Sequence, residues 1–219
     1  MIPPQESPPK EVSAPPLPAT RTDLRAQLRP LLLGVPLLTL LTGAVFPLVL
    51  AAFARPLFPD RADGSLIVRD GVVVGSELIA QNFSRPGYFH PRPSSAGDGY
   101  DAAASNGSNL GPANPKLREA VRDLAEAYRH TNGLPPDAAV PIDAVTRSGS
   151  GLDPHISPAN AALQTARVAR ERRLAEEDVR RLVAEHTLGP QLGFLGAPHV
   201  NVLALNLALD RAAPLSAAR

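Results

Sequence analysis

Ser148, Ser150, Asp153 and His155 put hydroxyls, a carboxylate and an imidazole close together in the chain. A hydrolase needs these groups, since a serine nucleophile requires a neighbouring base and a carboxylate to orient it. Their spacing argues against that chemistry. A nucleophile elbow carries glycine two residues before and two after the serine, whereas Ser148 is followed at that distance by Ser150, and Ser150 by Leu152. Asp153-Pro154 reads as a turn leading into Ser157-Pro158, a cap followed by a first-turn proline. The expectation is a hydrogen-bonded loop.

Two further clusters carry polar chemistry. Ser105, Asn106, Ser108 and Asn109 offer hydroxyl and carbonyl oxygens of the kind that hard cations such as potassium prefer. The alternative is a tight loop whose side chains replace secondary structure in holding the backbone, and that reading is favoured. Arg167, Arg170, Arg172 and Arg173 could contact phosphate. A solvated helix face paired with Glu171 and Glu176 is the simpler expectation. The chain has neither a glycine-rich loop ending in Gly-Lys-Ser/Thr nor an Asp-Lys-Thr-Gly motif. It is therefore not expected to hydrolyse ATP alone.

The element that must place these clusters in the cell is the stretch 30–54, which contains no charged residue. As a helix it is long enough to cross a hydrocarbon core of about 30 Å. A cleavable signal peptide has a shorter apolar run and a shorter leader. The span is therefore read as an uncleaved transmembrane anchor, with residues 1–29 a Pro-rich, disordered tail and 55–219 a single outer domain. Pro36 and Pro47 are tolerable there because Thr39 or Thr42 can satisfy freed carbonyls, and they should bend the helix. Lys10, Arg21, Arg25 and Arg29 precede the span and Arg55, Arg61 and Arg69 follow it. The slight excess places the tail in the cytoplasm and the domain outside. Gly34, Thr39 and Gly43 are small enough to let a partner helix approach.

The domain beyond Ala54 carries eighteen basic and eighteen acidic residues. Zero formal charge argues against nucleic acid as a partner. Without cysteine it has neither disulfides nor thiolate metal ligands, which is compatible with a periplasmic location. With four of the chain's six Phe, all three Tyr and no Trp, its core must come from Leu, Val, Ile and Ala.

Along the domain, residues 65–68 and 72–74 flank Asp70-Gly71 and predict a hairpin. Residues 76–83 show helical spacing of Leu78, Ile79 and Phe83, and 84–113 form a long Gly- and Pro-punctuated loop of the kind that carries function. Asn114-Pro115 opens a helix ending near His130. Residues 140–146 alternate as a strand, Ser157-Pro158 opens another helix, and a further helix runs from Glu176 to Thr187. A short strand at 200–202 followed by a helical turn or two completes a fold class of one N-terminal transmembrane helix plus a mixed α/β soluble domain.

Four segments then stand out in order: GSELIAQNF (75–83) with YFHPRPS (88–94), SNGSNLGPANP (105–115), VTRSGSGLDPHISP (145–158) with QTARVAR (164–170), and VNVLALNLALD (200–210). Following a single span that begins Leu28-Arg29-Pro30, they resemble the C subunit of the bacterial Kdp-type potassium-transporting P-type ATPase. The resemblance covers residues 28–210. It implies an accessory subunit of an ATP-driven potassium import complex in the bacterial inner membrane, itself non-catalytic. Its partners would be a potassium-conducting channel-like subunit and a P-type ATP-hydrolysing subunit. It also implies a catalytic chaperone that raises the ATP affinity of the hydrolysing subunit. No cofactor is assigned to the chain; ATP and potassium are handled by the complex. The candidate functional loops are Ser105, Asn106, Ser108, Asn109, Ser148, Ser150, Asp153 and His155, together with Gln164 and Arg167. The runner-up is a membrane-anchored periplasmic hydrolase using Asp153 and His155.

Two positions depart from the family pattern. Asn106 stands where the family commonly has the first glycine of Ser-Gly-Gly-Ser-Asn, and Ala175 where Ser often caps the next helix. The tail before Arg21 is an extension with no inherited role.

Overall fold

A computed structural model describes residues 24–215, so most of the Pro-rich tail, with its basic residues Lys10 and Arg21, lies outside the described residues. The chain divides into two units on either side of Leu57 and Phe58. The first is helical throughout: α1 (Leu24–Leu40), a π-helical turn (Leu41–Val45) and α2 (Phe46–Leu57). Its stretch Gln27–Leu57 is long and apolar enough to cross a membrane.

Pro47 explains the π turn. It has no N–H to donate, and its ring crowds the carbonyl four residues earlier. Widening the preceding turn relieves the crowding: the Phe46 N–H reaches back five residues to the Leu41 carbonyl. Thr42 Oγ1 donates to the Leu38 carbonyl at 2.7 Å, which is not one of the carbonyls four residues before Pro36 and Pro47, those of Leu32 and Gly43.

The second unit begins with the one-turn α3 (Pro59–Ala62) and the hairpin β1 (Leu66–Arg69) and β2 (Val72–Ser76). Asp70 and Gly71 both have positive φ, 52° and 76°, as a type I′ turn requires. The 76–83 helix does not form. Ser76 Oγ donates to the Gly64 carbonyl and accepts the Leu78 N–H, and Asn201 Nδ2 donates to the Glu77 carbonyl. These side chains take the backbone groups that a helix would have used. Leu78 is 58% exposed, so its helical spacing had no core to face.

Residues 84–113 contain no helix or strand. Helix α4 (Pro115–Asn132) starts on Asn114, whose side chain accepts the Lys116 N–H, and ends at Gly133 with φ 66°. The expected strand at 140–146 is instead the single turn α5 (Ile142–Val145). Ile142 is 72% exposed while the consecutive Ala144 and Val145 are buried, a pattern that a two-residue alternation cannot produce. The Asp143 carboxylate fixes this turn by accepting the Ser157 N–H, the Ser157 hydroxyl and Asn160 Nδ2.

Helix α6 (Pro158–Arg172) is capped by Ser157, which accepts the Asn160 N–H. It closes with Arg173 in the left-handed region, where the Leu174 N–H returns to the Ala169 carbonyl at 3.0 Å and the Arg173 N–H to Arg170 at 3.2 Å. The chain therefore breaks before α7 (Glu176–Glu185), as the sequence suggests. Ala175 at its N-cap has no side-chain capping bond. Two-residue β3 (His155–Ile156) and β4 (Thr187–Leu188) were too short to read from pattern. They flank β5 (His199–Asn201) antiparallel in the order β3-β5-β4. Helix α8 (Val202–Ala212) follows at once on an Asn201 cap. The core joins Phe89, Ile156, Ala161, Val168, Val179, Val183, Val200, Leu205 and Leu209, so α6, α7 and α8 pack around the small sheet and one loop aromatic.

Candidate functional site

The long loop is the organising feature of the second unit. Its backbone has no ladder of its own, so buried side chains satisfy it. Asn206 on α8 pairs both of its amide groups with Phe89, accepting its N–H at 2.8 Å and donating to its carbonyl at 2.9 Å. Gln164 on α6 treats His90 the same way, at 2.7 and 3.1 Å. Two helices thereby hold consecutive loop residues as a neighbouring strand would.

Two arginines extend the grip. Arg167, 2% exposed, donates to the carbonyls of Pro86 and Tyr88, to Gln164 Oε1 at 2.7 Å and to Asn132 Oδ1 at 3.0 Å. Arg172 donates to the Gly87 and Ala213 carbonyls and to Asp210, while its guanidinium lies 4.7 Å from the centre of the Tyr88 ring. This corrects the expectation of a solvated basic face. Arg167 and Arg172 point inward, Arg170 pairs with Glu171 on the surface, and Glu176 pairs with Arg180. Burial pulls the Arg167 guanidinium down to about 10, still charged at neutral pH.

Beside this cradle lies a cleft of about 400 Å³ lined by His90, Tyr100, Tyr128, Asn132, Asn160 and Gln164 among others. Burial, with the positive charge of Arg167, lowers His90 to about 4, so its ring is neutral at pH 7. Burial pushes the Tyr100 phenol up to about 12 and raises Tyr128 as well, the latter also through the Asp143 charge. No group here is poised to exchange a proton near neutrality.

The structure brings two of the sequence-predicted loops together. Ser105 Oγ and the Asn106 N–H both donate to the Ser150 carbonyl, at 2.9 and 3.0 Å. Asn109 Nδ2 reaches Asn106 Oδ1 at 3.3 Å. Ser94 ties the same region by donating to the Gly151 carbonyl while accepting the N–H groups of Ala96 and Tyr100. Gly151 has φ 70°, and a Cβ there would come within 2.7 Å of Ala96 N and Asn106 O, so no larger residue fits. Among the described residues no hydrogen bond involves the Ser108 side chain.

The triad-like residues are not wired as a triad. Ser148 Oγ faces Ser150 Oγ at 3.4 Å, and among the described residues neither hydroxyl bonds to His155. Asp153 accepts from Arg92 at 2.6 Å and from the His155 N–H at 3.0 Å, with His155 Nδ1 farther away at 3.5 Å. Burial alone would raise the Asp153 carboxyl, but the bonds from His155 and Arg92 outweigh it and hold the group at about 2. His155 packs edge-on against His199, ring centres 4.5 Å apart. Among the described residues, no group of three or more His, Cys, Asp or Glu side chains could hold a metal.

On the apolar helix, Gly34 and Thr39 lie about 140° apart at 100° per residue, so they do not form one stripe. A Cβ at Gly34 or Gly43 meets nothing within 4 Å.

Sequence reasoning missed His90, Arg92, Ser94, Asn132, Asn160, Arg172 and Asn206 as structural determinants. The available signal was amide and guanidinium side chains standing at inward positions of α6 and α8, at Asn160, Gln164, Arg167 and Asn206, where an amphipathic helix normally carries hydrocarbon.

A family model described as K+-transporting ATPase, c chain (KdpC) matches residues 28–211, which takes in the apolar helix, the cradle and both loops. The chain belongs to the KdpC family. A Mycobacterium bovis (strain BCG / Pasteur 1173P2) protein called potassium-transporting ATPase KdpC subunit is 56% identical over 188 residues, 86% of this chain and 100% of its own length. Proteins of the same name from Beijerinckia indica and Koribacter versatilis are 55% and 50% identical, covering 95% and 92% of their own lengths. The family match leaves out most of the Pro-rich tail.

Proposed function

We propose that this KdpC chain is a non-catalytic accessory subunit of an ATP-driven potassium import complex in the bacterial inner membrane. The apolar helix packs against membrane helices of the potassium-conducting and ATP-hydrolysing subunits. The second unit stands outside, against the potassium-conducting subunit, with the Pro-rich tail in the cytoplasm. The supporting observation is the family match across residues 28–211, combined with a second unit whose central charged groups are spent internally: Arg167 and Arg172 on loop carbonyls, Asp153 on Arg92. Charges so committed position a loop.

Any raising of ATP affinity in the hydrolysing subunit would then be a coupling free energy carried through the complex, since a domain outside the membrane cannot touch cytosolic ATP. Purification from membranes should recover this chain with a channel-like subunit and a P-type ATPase. Potassium-dependent ATPase activity should then survive His155→Asn, because Asn keeps a local hydrogen bond but cannot relay a proton. Lost activity with intact assembly would favour chemistry at His155, and isolation of the chain alone would sink the accessory role.

A further inference from the structure

The chain contains two Asn-Gly pairs, Asn106-Gly107 and Asn132-Gly133, in opposite environments. In such a pair the backbone nitrogen after asparagine can attack the side-chain amide carbon, because glycine offers no Cβ to obstruct the approach. A C–N bond forms, the amide nitrogen leaves as ammonia, and a cyclic succinimide results. Water then opens either carbonyl of the ring to give aspartate or isoaspartate.

Asn132-Gly133 is barred from this reaction. Asn132 is buried, its Oδ1 accepting from Arg167 Nε at 3.0 Å and its Nδ2 donating to the Tyr128 carbonyl at 2.9 Å. The Gly133 N–H, which would be the nucleophile, is spent on the carbonyls that end α4. Asn106 differs on each count. It is exposed, its one side-chain bond is the long 3.3 Å contact from the exposed Asn109, and among the described residues the Gly107 N–H donates to nothing.

We infer that Asn106 is a spontaneous modification site, converting through a succinimide to aspartate and isoaspartate in the folded protein, while Asn132 is protected by the same fold. The product matters because of where it forms. The loop around Gly107 has no slack, since a Cβ on that residue would come within 2.9 Å of the Gly149 carbonyl. Isoaspartate adds a main-chain carbon between residues 106 and 107 and leaves a free carboxylate there. The Ser105 and Asn106 bonds to the Ser150 carbonyl, which join the two polar loops, lie directly against the lengthened segment.

The experiment incubates the full-length chain in detergent at mildly alkaline pH and follows both peptides by mass spectrometry, with isoaspartyl methyltransferase labelling to identify the isomer. Asn106 should convert at least about tenfold faster than Asn132, because a protected amide reacts only through local opening. In denaturant the two rates should converge. Asn106→Gln should remove the labelled product while leaving the fold intact by thermal melt. Folded protein in which Asn106 is as inert as Asn132, or in which both convert at the same rate, would overturn the assignment.

Discussion

Replacing Arg167 with methionine should destabilise the second unit by about 3–5 kcal/mol. The side chain is 2% exposed, and its removal leaves the Tyr88 and Pro86 carbonyls and Asn132 Oδ1 without this donor. Gln164 Oε1 fares better, because it keeps the His90 N–H. Each stranded buried acceptor costs about 1–3 kcal/mol. Part of that is offset, since methionine fills similar volume and removes the penalty of a buried charge. Against a total stability of about 5–15 kcal/mol the net loss is large, and for a domain of this size it corresponds to a fall in Tm on the order of 10 °C. The assay is thermal or urea unfolding of the full chain in detergent, where the apolar helix persists and the transition reports the second unit. Arg167→Lys should fall between, keeping the charge but losing the planar fork that reaches several acceptors at once. If methionine costs less than about 1 kcal/mol, Arg167 behaves as a surface residue and the cradle is not what holds the loop.

Ala175→Ser should stabilise by about 0.5–1 kcal/mol, because α7 starts on a residue with no side-chain cap; an unchanged melt would show that the acidic first turn already suffices. His90 sits at about 4 in the fold against an ordinary 6.5, so the unfolded chain takes up the proton first as pH drops. Stability should therefore decline between about pH 6.5 and pH 4, by about 1–3 kcal/mol once solvent access is allowed for, and His90→Gln should flatten that slope; a wild-type melting profile level across the window would count against it. Asp153, at about 2, should add a second loss only below about pH 4, which a pH series on Asp153→Asn would remove. Gly34→Leu or Gly43→Leu meets open space in the chain itself, so a weaker recovery of the complex than with Leu38→Ile would report a partner helix, and equal recovery would leave the span as an anchor alone.

What the sequence determined by itself is whatever a local signal encodes. The uncharged stretch 30–54 fixes an apolar helix because hydrophobicity and length are sufficient, and Pro47 marks where that helix widens. Asp70-Gly71 fixes a hairpin because few residues accept positive φ twice running. Asn114 and Ser157, each before proline, fix two helix starts because capping is a contact within one turn. The order of four long motifs fixed the family. Tertiary structure decided the rest. Segment 76–83 has backbone groups claimed by Ser76 and Asn201, and segment 140–146 is held as a turn by Asp143 reaching Ser157 and Asn160, so their spacing alone misleads. The inward turn of Arg167 and Arg172 is set by loop carbonyls some eighty residues away in the chain. Two-residue strands carry no periodicity, and β3 and β4 exist only because β5 lies between them. A hydrogen bond to a distant backbone leaves no period in the sequence, and the cradle of this protein is built almost wholly from such bonds.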